Sequence, residues 1–140
     1  MTPDLSRRTF LSVAAGVVAG GVSACAGLPT IRPTLESDDR VSLSVDEFAL
    51  NAGEKRAVYL SVPDRKYPLL LLEDEGGFTA VSTRCTHQGC GVKAAGDFLV
   101  CSCHGSTFDR EGNVIRGPAP TALESFETTL EQGRIHVRMT

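Results

Sequence analysis

The chain has 140 residues, room for one domain, and a formal net charge of −3. Its acidic and basic residues are scattered, which leaves no basic footprint for nucleic acid. Tryptophan is absent and aromatics make up 6% of the residues, so the core must rest on Val, Leu, Ile and Phe.

From the N-terminus, Ser6-Arg7-Arg8-Thr9-Phe10-Leu11 is a twin-arginine pattern, an address for export of folded proteins. An Ala/Gly/Val-rich run follows from Phe10 to Ala24. It ends in Val22-Ser23-Ala24-Cys25, which resembles a lipobox, where the cysteine is lipidated and becomes the new N-terminus. Residues 1–24 therefore read as a signal, and lipidation would account for Cys25, the odd one of five cysteines. The rival reading keeps the segment as a membrane anchor. No charge falls in the 23 residues between Arg8 and Arg32, and roughly 20 apolar residues span a bilayer. Gly16, Gly20, Gly21 and Gly27 weaken that reading by lowering helix propensity. Either way the domain is held at a membrane surface on the non-cytoplasmic side, periplasmic or on the outer face of the cytoplasmic membrane. Residues 25–40, with Pro29, Pro33 and Glu36-Ser37-Asp38-Asp39, read as a linker. Fully extended, about 15 residues at ~3.3 Å each reach some 50 Å.

Residues 41–140 are strand-patterned. Val41 to Val45 alternates strictly, the period of a half-buried strand. Ala57 to Val62 is rich in β-formers and stops at Pro63; Tyr67 to Leu72 is a continuous apolar run that suits a central strand. Glu73-Asp74-Glu75-Gly76-Gly77 turns the chain into Phe78–Ser82, a hairpin signal whose acidic residues read as a solvated tip. Ala94-Ala95-Gly96-Asp97 turns into Phe98-Leu99-Val100, a strand that delivers Cys101, and Glu111-Gly112-Asn113 is a further turn. Phe126–Leu130 and Arg134–Met139 form a closing hairpin, with His136 on its exposed face. No long amphipathic helix appears, and many short strands with turn signals predict an all-β sandwich or barrel.

Two segments carry the chemistry: Cys85-Thr86-His87-Gln88-Gly89-Cys90 and Cys101-Ser102-Cys103-His104-Gly105-Ser106. Each offers a thiolate and an imidazole at ligand spacing, and each holds a further cysteine. Two Cys and two His can bind a zinc ion, or a [2Fe–2S] cluster in which two His serve one iron. Zinc would make a structural, non-redox module; the cluster would make an electron carrier. No nucleophile–base pair is evident, so catalysis needs a partner.

The two boxes resemble those of the Rieske iron–sulfur family, C-T-H-x-G-C and C-x-C-H-G-S, and the resemblance spans roughly residues 40–140. It implies stacked antiparallel sheets with a loop-rich cluster-binding subdomain at about 83–120. It implies one [2Fe–2S] cluster, with Cys85 and Cys101 on one iron, His87 and His104 on the other, and a Cys90–Cys103 disulfide. The histidine-bound iron is expected at the protein tip, where reduction raises the imidazole pKa and can carry a proton. Ser106 matches the serine that donates to a bridging sulfide in high-potential members. Phe108 stands where quinol-oxidising members have a tyrosine, and Gln88 where they have an apolar residue. These two differences imply an intermediate potential and a polar tip suited to a protein partner. Gly117-Pro118-Ala119-Pro120 resembles the stiff loop that covers the cluster. The implied role is a membrane-tethered one-electron carrier, serving a quinol-oxidising complex or another periplasmic oxidoreductase such as arsenite oxidase. A ferredoxin-like donor to an oxygenase is the alternative, and such members usually lack the second cysteine pair and an export signal.

Overall fold

The computed structural model describes residues 27–140. The twin-arginine pattern, its apolar run and Cys25 lie outside the described residues. Among the described residues, thirteen strands build three sheets. In chain order they are β1 (Thr30–Ile31), β2 (Thr34–Ser37), β3 (Arg40–Ser44), β4 (Ala57–Leu60), β5 (Leu69–Asp74), β6 (Gly77–Ser82), β7 (Val92–Ala95), β8 (Phe98–Cys101), β9 (Thr107–Phe108), β10 (Val114–Arg116), β11 (Ser125–Phe126), β12 (Thr128–Glu131) and β13 (Arg134–Arg138). The first sheet runs β1-β4-β5-β6-β11, the second β12-β13-β3-β2, the third β10-β9-β8-β7. Every pairing is antiparallel except β1 with β4. The all-β expectation holds.

β5 explains how the two halves adhere. Its four leucines, Leu69 to Leu72, are all fully buried because both faces of the strand are covered. Successive side chains of a strand point to opposite faces. Leu69 and Leu71 therefore pack with Val41, Leu43, Phe48, Ile135 and Val137 between the first two sheets. Leu70 and Leu72 pack with Val81, Leu99, Phe108 and the two cysteines Cys85 and Cys101. One strand thus serves the structural core and the floor of the third sheet. Burying a leucine stabilises by about 1.5–3 kcal/mol, so a gap under this strand would be felt on both sides.

Three segments differ from the sequence reading. Phe126, expected in the closing hairpin with Leu130, lies on β11 and pairs with Ala80 of β6 in the first sheet. The residues after β3 form a short helix, α1 (Val45–Ala52). Ser44 caps it by accepting from the Glu47 N–H at 3.0 Å, and a positive-φ Gly53 ends it. A Ser three residues ahead of a Glu is a capping signal, masked here by the strand alternation that runs up to it. Phe48 and Ala52 are its buried face.

The segment expected to be linker is also structured from Pro29 onward. Tyr59 N–H donates to Pro29 O at 2.9 Å and Ser61 N–H to Ile31 O at 2.8 Å. Ile31 is buried in the first core, and β2 pairs with β3. The expected linker is therefore tied into the sheets from Pro29, and a domain cut at residue 36 would lose an edge strand. Among the described residues no helix is long and apolar enough to cross a membrane.

Candidate metal centre

The two boxes occupy the loops that follow β6 and β8, and they are built alike. In the first, Cys85 N–H donates to Cys90 O at 2.8 Å and Gly89 N–H to Cys85 O at 2.8 Å. In the second, Cys101 N–H donates to Ser106 O at 2.9 Å and Gly105 N–H to Cys101 O at 3.0 Å. Each turn thus closes on its cysteine at the same two spacings, with a left-handed glycine at the fifth position: φ is 72° at Gly89 and 79° at Gly105. Only glycine takes that conformation without a Cβ penalty. An Arg84–Gly91 bridge closes the first loop at its base.

These turns bring the predicted residues together. Cys85 and Cys101 are buried free thiols, 2% and 1% exposed, in the core beneath the loops. Burial pushes the Cys101 thiol pKa up; the Cys85 thiol adds to this while the Cys103 and His104 backbone opposes it. His87 and His104 lie outward of them, half-buried and exposed respectively. Their Nδ1 atoms are 3.2 Å apart and their rings meet edge to face, centroids at 4.7 Å. Cys90 and Cys103 form the disulfide across the loops, Sγ–Sγ 2.12 Å and Cα–Cα 6.4 Å. The sulfurs of Cys90, Cys101 and Cys103 lie within 4.8 Å of one another. Two of them are consumed by the disulfide, so this trio marks its position rather than a ligand set. What remains is two thiols and two imidazoles converging from two loops, the donor set of a mixed Cys/His cluster.

The surroundings are ordered. Ser106 is fully buried, and its Oγ accepts from the Ala119 N–H at 3.0 Å, which leaves the hydroxyl proton for another acceptor. That bond seats the Gly117–Pro120 loop beside the second box. Thr86 Oγ1 donates to Thr121 O at 2.7 Å and ties the first box to the same loop. Phe108 is fully buried on β9 beneath the loops. Gln88 is exposed and shares with His87, Arg84 and Glu124 a recess of about 360 Å³. Sequence reading missed Tyr67, whose hydroxyl donates to Gly89 O at 2.5 Å; nothing local in the chain marks that contact. His136 stands apart, on β13 of the second sheet. It is half-buried rather than exposed, with Nδ1 3.0 Å from Glu36 Oε2.

Comparison with known proteins agrees with this geometry. The model of the Rieske [2Fe–2S] domain matches residues 43–127. A cytochrome b6-f complex iron-sulfur subunit of Chlorobaculum tepidum is 30% identical over 96% of this chain and 76% of its own length. The cytochrome b6-f complex iron-sulfur subunit 2 of Synechocystis is also 30% identical, over 91% of this chain and 81% of its own. Among solved structures, the plasma membrane Rieske protein PetC3 of Synechocystis PCC 6803 superposes with a TM-score of 0.58 at 29% identity, covering 69% of this chain and 97% of that one. The chain belongs to the Rieske family and carries one [2Fe–2S] cluster.

Proposed function

We propose that this Rieske-family chain is a one-electron carrier held at the outer face of a membrane, with Cys85 and Cys101 on one iron and His87 and His104 on the other. The observation that carries the ligand assignment is the pair of matched turns. They place two thiols in the core and, outward of them, a half-buried and an exposed imidazole, 3.2 Å apart at Nδ1. When bound, the cluster supplies a one-electron couple whose neutral imidazole ligands raise its potential above that of all-cysteine clusters. The protein's own residues do the rest. The buried cysteine side keeps water from the thiolates. The exposed His104 edge is the short path for an electron to a docked partner. The Cys90–Cys103 bridge and the Thr86–Thr121 bond hold the two boxes in register.

The named relatives are subunits of the cytochrome b6-f complex, which supports a membrane complex as the partner. Residues 1–24 then act as a twin-arginine signal and Cys25 as the lipidated residue, or the apolar run stays as the anchor. Gln88 at the tip favours docking to a redox protein over direct contact with a quinol. Ser106 without a tyrosine at 108 supports an intermediate potential. The Cys90–Cys103 bridge counts against the oxygenase-donor role.

A redox titration of the full chain at several pH values, with EPR of the reduced state, tests this. A Rieske-type signal whose midpoint falls as pH rises is expected, because an imidazole on ferric iron loses its proton more readily. A reduced protein with no paramagnetic signal and one bound zinc would refute it.

A further inference from the structure

Gly89 and Cys90 share one planar peptide group, so the Gly89 carbonyl and the Cys90 N–H are its two ends. The Tyr67 hydroxyl donates to the carbonyl end at 2.5 Å. The Cys90 N–H end takes no acceptor among the described residues, although the Cys90 carbonyl is used by the Cys85 N–H. This free donor lies in the loop that carries Cys85 and His87, beside the Cys90–Cys103 bridge. A donor pulling on the oxygen of a peptide polarises it, and its N–H then donates more strongly at the other end. Tyr67 itself is well held. It precedes β5, its ring is half-buried, and the Lys66 ammonium lies 5.4 Å from the ring centroid.

From this we infer that Tyr67 is a positioning residue for electron transfer: through the Gly89–Cys90 peptide it strengthens an N–H donor that favours the added negative charge of the reduced cluster. The inference rests on the ligand assignment proposed above. The Tyr67 hydroxyl bonds to the Gly89 carbonyl, and its influence runs through that one peptide group. Loss of its hydroxyl leaves the loop closed, because Cys85 N–H to Cys90 O, Gly89 N–H to Cys85 O and the disulfide all remain.

The test is the midpoint potential of the full cluster-loaded chain carrying Tyr67→Phe, read by potentiometric EPR. A hydrogen bond is strengthened by roughly 10–30% by such a relay, and only the part gained on reduction counts, so the reduction equilibrium constant is expected to fall by a factor of about 1.3 to 2. At 59 mV per tenfold, that is a drop of about 7–18 mV. The chain holds two tyrosines, so 3-fluorotyrosine incorporated in a Tyr59→Phe background reports on Tyr67 alone. Its more acidic hydroxyl donates harder, and the potential should rise above that of Tyr59→Phe with ordinary tyrosine. This second measurement decides the matter if Tyr67→Phe loads poorly. An unchanged potential in the folded, loaded Tyr67→Phe chain, or no rise with fluorotyrosine, overturns the role of Tyr67. An EPR-silent unaltered chain overturns instead the cluster assignment, and this inference with it.

Discussion

Replacing Ser106 by alanine separates two jobs that one oxygen performs. Ser106 Oγ is fully buried and accepts from the Ala119 N–H at 3.0 Å, and Ala119 is itself only 6% exposed. In Ser106→Ala that N–H loses its acceptor inside the protein. A buried donor left unpaired costs about 1–3 kcal/mol, and the packed proline loop above it gives little room to relax, so a loss of about 2 kcal/mol in unfolding free energy is expected. The other job concerns the hydroxyl proton, which no described residue accepts and which the family resemblance directs to a bridging sulfide. A hydrogen bond to a charged acceptor contributes about 1.5–3 kcal/mol. It exists in both redox states, so only its strengthening on reduction counts. Taking about 1.4 kcal/mol for that increment gives a tenfold weaker reduction and a drop of about 59 mV. Urea denaturation of the cluster-free chain measures the first term, and potentiometric titration of the loaded chain the second. A folded, fully loaded Ser106→Ala chain with an unmoved potential would refute the hydroxyl's electrostatic role and leave it only as the anchor of Ala119.

Other outcomes follow from the same structure. Removing the Cys90–Cys103 bridge with the double change Cys90→Ser, Cys103→Ser opens a loop of sequence separation 13. Chain entropy sets its cost near 3 kcal/mol in cluster-free protein, and a urea midpoint that gives less than about 1 kcal/mol would contradict this. Gly112 has φ +90°, and a Cβ there would lie 3.1 Å from Leu123 Cβ and 3.2 Å from Val81 Cγ1. Gly112→Ala should therefore cost about 2 kcal/mol or more. Gly96→Ala shares the left-handed strain at φ +62° but meets nothing within 4 Å, so its cost should stay near 1 kcal/mol; equal losses would show that strain alone decides. Asp109 has its carboxyl pKa lowered: burial raises it, but the donors of Asn113 and the Glu111 backbone outweigh burial. Its contribution is therefore present above the unfolded carboxyl value of about 3.9 and is lost as pH falls below it. Asp109→Asn should flatten the fall of stability with acid in that window, measured by thermal melts across pH, and an unaltered slope would rule the carboxylate out.

Much of the site was legible because its chemistry is local. The two cysteine–histidine boxes lie within short stretches, and their glycines mark turns that only a left-handed residue closes, as Gly89 and Gly105 show. Hairpins were legible for the same reason: β5 turns into β6 at Glu75-Gly76, and β12 into β13 at Gln132-Gly133. The export pattern and Cys25 lie outside the described residues and stand on the sequence alone. Tertiary structure decided what depends on distant partners. The apolar run at Leu69–Leu72 announced a buried strand, but only the assembled sheets show that its two faces feed two cores. Residues 30–37 look polar and linker-like by composition, yet Ile31 finds an apolar pocket and backbone partners on β4. The contact from Tyr67 to Gly89 joins residues 22 apart in sequence. Turn geometry and ligand spacing are set by a few neighbouring dihedral angles, so they can be read along the chain. Which surfaces become buried, and which hydroxyl meets which carbonyl, depends on the packing of every strand at once.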